Sequence, residues 1–254
     1  MSMPTIFVSH GSPMLILEDV PARAFLASLG KLLPKPKAII AVSAHWDTDV
    51  PAVSLARRPP TIHDFYGFPE ALYRLTYDAK GAPELAERVA KLTGAAHDPH
   101  RGLDHGAWVP ALLGWPEADV PIFQLSVQPN ESPAHHVALG RKLNSLREED
   151  VLVMGSGSAT HNLRALVRGG REAEPEPWVK AFDDWLAETV AKGDEAALAN
   201  YRSRAPYAGE AHPTDEHLLP LHVAFGAAGE GARGRPLHRS FTLGNLSMAS
   251  YAFG

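Results

Sequence analysis

Five apolar runs of strand length punctuate the chain, at residues 5–9, 38–44, 50–55, 120–127 and 151–155. Between them lie Ala- and Leu-rich stretches of helical pattern, at about 21–33, 82–93, 133–147 and 177–191. Strands alternating with helices of this length predict an α/β fold, with a central, mostly parallel or mixed sheet and helices on both faces. No repeat or low-complexity linker divides the chain, so residues 1–254 read as a single domain. Leu237 to Phe253 alternates like a strand, breaks at Gly244, and would close the sheet with one or two more strands. The polar stretch Gly169 to Pro177 reads as a surface loop. Residues 57–68 contain Pro59, Pro60 and Gly67, which exclude regular structure. They also hold Phe65, Tyr66, Phe68 and His63, too many rings for a solvated loop, so the segment is expected to fold over a pocket.

The pattern becomes chemical where strands end. Thr5 to Ser9 runs into His10, and Ala38 to Ala44 runs into His45-Trp46. In an open α/β sheet, ligands bind in the crevice beyond the carboxyl ends of the strands. Either histidine alone reads as a packed strand-end residue. The pair, at the same kind of position, reads as two ligands of a metal site, and imidazole suits zinc, iron, copper or nickel. A third segment, His212-Pro-Thr-Asp-Glu-His217, is expected to open a helix with Pro213 in its first turn, running to about Ala228 and kinked at Pro220. On that helix His217, Leu221, Ala224, Phe225 and Ala228 share one face, which turns His217 inward. His212 would lie about 140° round and could not serve the same ion from that face. Glu216 is the competing third ligand, because many non-haem iron sites use a carboxylate.

Two further segments carry histidines. Val151 to Gly155 runs into Ser-Gly-Ser-Ala-Thr-His161, which fits neither a dinucleotide fingerprint nor a nucleophile elbow. Its small residues are expected to let substrate approach the backbone while His161 reaches in. Asp104-His105-Gly106 reads as loop chemistry, or else as a helix-capping Asp104 beside a bystander histidine. His97, His100, His135, His136, His222 and His238 read as residues of polar loops and exposed helical positions. Ser43 and Trp46, beside His45, read as pocket wall.

Composition narrows the chemistry. Cysteine is absent, so any metal must be held by His, Asp or Glu, and the 13 histidines make such a site more plausible. Net charge is -5 with basic residues scattered, which gives no footprint for nucleic acid or an anionic membrane. The chain lacks a signal-peptide pattern and any run approaching the ~20 apolar residues of a membrane span, so a cytoplasmic protein is expected.

Six short motifs in order resemble the class III extradiol dioxygenases, specifically the DOPA 4,5-dioxygenase branch. They are Ser9-His10-Gly11-Ser12-Pro13, Ser43-Ala44-His45-Trp46, Pro60-Thr61-Ile62-His63-Asp64-Phe65, Asp104-His105-Gly106, Gly155 to Leu163, and His212-Pro213 to Glu216-His217. The resemblance implies that His10, His45 and His217 hold one divalent metal, Fe(II) for activity, with Zn(II) able to occupy the same three imidazoles. It implies acid–base roles for His161 and His105, with His161 close enough to act as a fourth ligand. It places His63 and His212 in the pocket, and Phe65 and Trp46 on its wall. The wider class uses two histidines and a glutamate, whereas here His217 is the better match at the third position. The implied reaction opens a catechol ring next to its diol with O2. Two other readings follow from the same residues. One is a zinc hydrolase with Glu216 or His161 as base. The other is a non-catalytic binding module that uses the aromatic loop at 61–68 as its contact surface.

Overall fold

A computed structural model describes residues 2–165, 170 and 173–254. In chain order the strands are β1 (Thr5–Ser9), β2 (Ala38–Asp47), β3 (Ala52–Ser54), β4 (Ala96–Asp98), β5 (Ile122–Val127), β6 (Val151–Gly157), β7 (Gly234–His238), β8 (Phe241–Thr242), β9 (Leu246–Ser247) and β10 (Ser250–Phe253). Eight of them form one sheet in the order β4-β3-β5-β2-β6-β1-β10-β7. Its middle, β5-β2-β6-β1, is parallel. β3 runs antiparallel to β5 and β10 antiparallel to β1, so the sheet is mixed, and the last segment closes it as its alternation suggested. β8 and β9 form a separate hairpin.

The helices are α1 (Pro21–Leu32), α2 (Glu70–Tyr73), α3 (Pro83–Thr93), α4 (His105–Gly114), α5 (Pro133–Arg141), α6 (Pro177–Lys192), α7 (Glu195–Ala199), α8 (Tyr201–Arg204), α9 (Ala208–Ala211) and α10 (Leu219–Ala227). α1 and α4 cover one face of the sheet, where Ile6, Val8, Ile39, Ala41, Leu152 and Met154 pack against Leu26, Leu29 and Trp108. α5 and α10 cover the other, where Ile40, Val42 and Val153 meet Leu139 and Val223. No described helix is long and apolar enough to cross a membrane.

The site follows from the strand period of two. Successive side chains of a strand point to opposite faces. On the α4 face β1 therefore reads Ile6, Val8 and then His10. β2 reads Ile39, Ala41, Ser43, His45, and β6 reads Leu152, Met154, Ser156. Each central strand turns from apolar to polar at its carboxyl end, on the same face. The register sets Ser156 level with Val8 on one side and Ser43 on the other.

Local expectations divide. Of the two readings of Asp104-His105-Gly106, the helix cap holds and the loop does not: His105–Gly114 is the helix α4, and Asp104 caps it, accepting from the Ala107 N–H at 3.2 Å. The helix is buried on nearly every side, so no polar stripe betrays its period. α10 begins at Leu219, not Pro213, so Pro220 starts the helix instead of kinking it, and His217 stands in the turn before it. Of the small residues before His161, Gly157 admits backbone, while Ser158 lines a cavity together with His161. A Cβ on Gly157 would meet the His217 carbonyl oxygen at 2.0 Å, and Ser158 N–H donates to that same oxygen at 2.9 Å. Gly157 thus lets the turn bearing His217 dock on the strand end. In the polar stretch at 169–177, residues 173–176 have no regular structure, while 169, 171 and 172 lie outside the described residues.

Candidate metal centre and active site

Five histidines meet at the carboxyl end of the sheet. His10 follows β1, its N–H donating to Gly157 O at 3.0 Å. His45 lies near the end of β2, His105 begins α4, His161 follows β6, and His217 stands on the turn before α10. Ring centres of His10, His45 and His217 are 5.0, 5.0 and 5.7 Å apart. His105 lies 4.0 Å from His45 and 5.3 Å from His10. His161 stacks on His217 at 3.4 Å with 9° between planes. Nitrogen lone pairs of parallel rings lie in parallel planes, so these two do not converge on one ion as placed.

Three of these rings have Nδ1 anchored by a side chain. A carboxylate can only accept, so His105 Nδ1 donates to Asp64 at 2.9 Å and His217 Nδ1 donates to Glu216 at 3.0 Å. Ser156 holds His10 Nδ1 at 3.0 Å. His10 Nε2 and His45 Nε2 stand 3.1 Å apart. Two nitrogens on one ion at about 2.1 Å, roughly at right angles, would be separated by about this distance. Ligand atoms of His10, His45 and His105 lie within 4.8 Å of one another, as do those of His161, Glu216 and His217. The donor set therefore fits a divalent ion of the zinc or iron type, and the anchoring of the second nitrogen is the usual outer support of histidine ligands.

Burial keeps His10, His45, His161 and His217 neutral, as metal ligands must be. Loss of solvation, then the neighbouring imidazoles, push His10 and His217 well below the usual histidine range. Burial first, then His105, lowers His45 to about 4. Burial also lowers His161, against the opposing pull of Glu216.

Beneath the rings sits a fully buried carboxylate. Asp104 accepts from Ser43 Oγ at 2.6 Å, Arg101 at 2.6 Å and Gln124 Nε2 at 2.8 Å while it caps α4. Arg101 also donates to the carbonyl of His45 at 3.1 Å. One ion pair thus ties the β2 end bearing His45 to the helix start bearing His105. Gly106 makes the fit possible: a Cβ there would meet Ser43 Oγ at 2.4 Å and ring atoms of His45 and His10 at 3.1 and 3.2 Å.

A cavity of about 360 Å³ opens over the histidines, lined by His10, His45, His105, His161, His217 and Phe65 with further apolar residues. That is the size and character of a small-molecule site. The segment at 57–68 is irregular and forms part of the wall through Phe65 and Phe68, and Asp64 reaches from it to His105.

Three residues expected at the pocket stand behind it. His63 bonds the Leu75 carbonyl at 2.9 Å and packs on Trp108. His212 is fully buried, held by the Ala159 carbonyl at 2.9 Å. Trp46 is buried beneath the Arg101 guanidinium, 5.1 Å from its ring centre. Each is one position away from a residue facing another way, or behind the turn that carries His217. His136 and His222, read as exposed, are fully buried. Asp64 and Ser156 are site residues that the sequence reading misses. Asp64 had a signal in its place between His63 and Phe65. Ser156 had one in the strand period, two positions beyond Met154.

The chain's pattern matches, over residues 4–254, the family described as the catalytic LigB subunit of aromatic ring-opening dioxygenase. It is 44% identical to a 4,5-DOPA dioxygenase extradiol of Beta vulgaris, over 98% of this chain and 96% of that one. It is 38% identical to a protein of the same description from Escherichia coli K12, over 99% and 95%. A crystal structure of an uncharacterized protein from Escherichia coli K12 superposes with a TM-score of 0.84 at 32% identity, covering 99% of this chain and 100% of that one. The chain belongs to the LigB family of aromatic ring-opening dioxygenases. Within it, the chain is an extradiol ring-cleaving enzyme whose histidine cluster can bind a metal.

Proposed function

We propose that the protein is an Fe(II) enzyme that opens the ring of a DOPA-like catechol with O2. His10, His45 and His217 are the ligands, and His161 and His105 the acid–base residues. The observation that carries the ligand set is the spacing of three rings, 5.0 to 5.7 Å centre to centre, two of them with Nδ1 anchored by a side chain. His105 stands nearer His45, at 4.0 Å, than two imidazoles on one ion comfortably do, and its Asp64 partner suits a proton-handling role.

When held by His10, His45 and His217, Fe(II) would supply the redox chemistry between a catechol and O2, which the redox-inert zinc ion could not. The protein supplies the proton inventory. His161, kept neutral by burial, accepts a catechol proton. Asp64 holds His105 with Nδ1–H outward to the carboxylate and Nε2 toward the cavity. His105 thereby receives or returns a proton at Nε2, where the ring opens beside the diol. Phe65 and Phe68 exclude water from one wall. A second cavity of about 390 Å³ shares Gly11, Ser12, Leu243 and Leu246 with the first and gives room for a substituent on the ring.

The test is anaerobic reconstitution of the apoprotein with Fe(II), addition of a catechol panel that includes DOPA, and admission of O2. The expected result is oxygen uptake with a yellow semialdehyde absorbance. Absence of uptake with every catechol, together with turnover of an ester panel by the zinc-loaded protein, would contradict it.

A further inference from the structure

We propose that Ser156 is a positioning residue for the metal site, and that Pro110 sets its hydrogen. The relay starts in the backbone of α4. In a helix the carbonyl of residue 106 would accept from the N–H of residue 110. Residue 110 is proline and has no N–H, so the Gly106 carbonyl is released from the helix ladder. The register of β6 against β1 and β2 brings the Ser156 hydroxyl to that carbonyl, and Ser156 Oγ–H donates to Gly106 O. A hydroxyl has one hydrogen. With it committed to Gly106, Ser156 Oγ can only accept from His10 Nδ1, 3.0 Å away. His10 is thereby fixed as the Nδ1–H tautomer, with the Nε2 lone pair facing His45 Nε2 at 3.1 Å.

The arrangement differs from those at His105 and His217. There carboxylates fix the tautomer by charge, through Asp64 and Glu216. At His10 a neutral hydroxyl does so, and only because a proline four residues along has removed its competitor. Ser156 and Ser43 are both fully buried on the sheet face beneath the rings, so no solvent substitutes for the lost partner. This inference rests on the reading of His10 as a ligand, and its test separates the two.

The first measurement needs no metal. In apoprotein with ¹⁵N-labelled histidine, the His10 ring shifts report the tautomer. Native protein is expected to show Nδ1–H alone, and Ser156→Ala a mixture of the two tautomers. Pro110→Ala restores an N–H that can retake Gly106 O and frees the Ser156 hydroxyl to donate to His10, so it should shift His10 toward Nε2–H. The second measurement titrates Co(II) into the same proteins and follows its visible spectrum. Ser156→Ala is expected to bind Co(II) about 10- to 100-fold more weakly, the usual effect of losing a ligand's outer partner. Pro110→Ala is expected to weaken it in the same direction. An unchanged His10 tautomer in folded Ser156→Ala and Pro110→Ala proteins overturns the proposal, as does Co(II) affinity unchanged within about threefold. Should Ser156→Ala not fold, the tautomer in Pro110→Ala decides alone. Native protein that shows the Nδ1–H tautomer yet binds no Co(II) would overturn the ligand reading and leave the relay standing.

Discussion

Two sets of buried histidines occupy this molecule, and their nitrogens behave differently. In the frame, His136 donates from Nδ1 to the Ser132 carbonyl at 2.9 Å and accepts at Nε2 from the Gln128 N–H at 3.1 Å. Both nitrogens are spent on backbone within eight residues. At the sheet end, His10, His105 and His217 each spend one nitrogen on a side chain and turn the other toward their neighbours. Both sets are buried, and burial holds His136 neutral as it does His10 and His217. What separates a packing histidine from one available to an ion is therefore the unspent nitrogen, not the depth. His212 marks the boundary. Its Nε2 is bonded to Ala159 O and its buried Nδ1 has no partner, but it faces Phe182 and Tyr201 and not the cluster.

Substitutions should divide along the same line. The largest effect is expected for His10→Ala or His45→Ala: loss of metal binding, read by metal content after dialysis, with oxygen uptake at background. If such a variant keeps a full equivalent of metal, the comparison fails at its centre. Next is His161→Ala, which should retain metal yet lose on the order of 10²–10⁴ in kcat, the usual share of a general base. Loss of metal in that variant would instead make His161 a ligand. His136→Ala should do the reverse: metal and kcat stay near native, while urea unfolding shows about 1–3 kcal/mol lost through the unpaired Gln128 N–H and Ser132 carbonyl.

The last expected effect is a slope with pH. His136 is lowered by burial to about 4 and His212 to about 3, against the ordinary histidine value of 6.5. Between these values the unfolded chain binds a proton that the folded chain refuses, so stability rises with pH through the window and falls as the solution is acidified from 6.5 toward 4. Each group contributes up to about 1.4 kcal/mol per pH unit there. Urea midpoints at pH 7, 5.5 and 4.5 check it, and His136→Ala should flatten the slope. An unchanged slope in that variant would contradict the assignment.

The comparison also explains what the sequence could disclose. His10 and His45 were legible because a strand announces its own end and its face, and both are local properties. The parallel centre of the sheet was legible for the same reason, from apolar runs separated by helical stretches. Of α4 only the cap at Asp104 was legible, because a helix buried all round has no amphipathic stripe, and its proline and two glycines mimic a loop. The turn at His217 was misread as helix because Pro213 and Pro220 both suit a first turn, and only packing against Gly157 selects the second. His63 and His212 could not be told from His105 and His161 by spacing. Which of two carbonyls or carboxylates takes a ring nitrogen is decided by chain segments far apart, as between Asp64 and His105 or Ser156 and His10.

The account stands on three imidazoles sharing one ion. A crystal structure of the Fe(II)-loaded protein, with the anomalous signal collected at the iron edge, tests this most directly. The expected result is a single peak bonded to Nε2 of His10, His45 and His217. A peak held by His10, His45 and His105 with His217 apart, or one seated on His161 and Glu216, would contradict it.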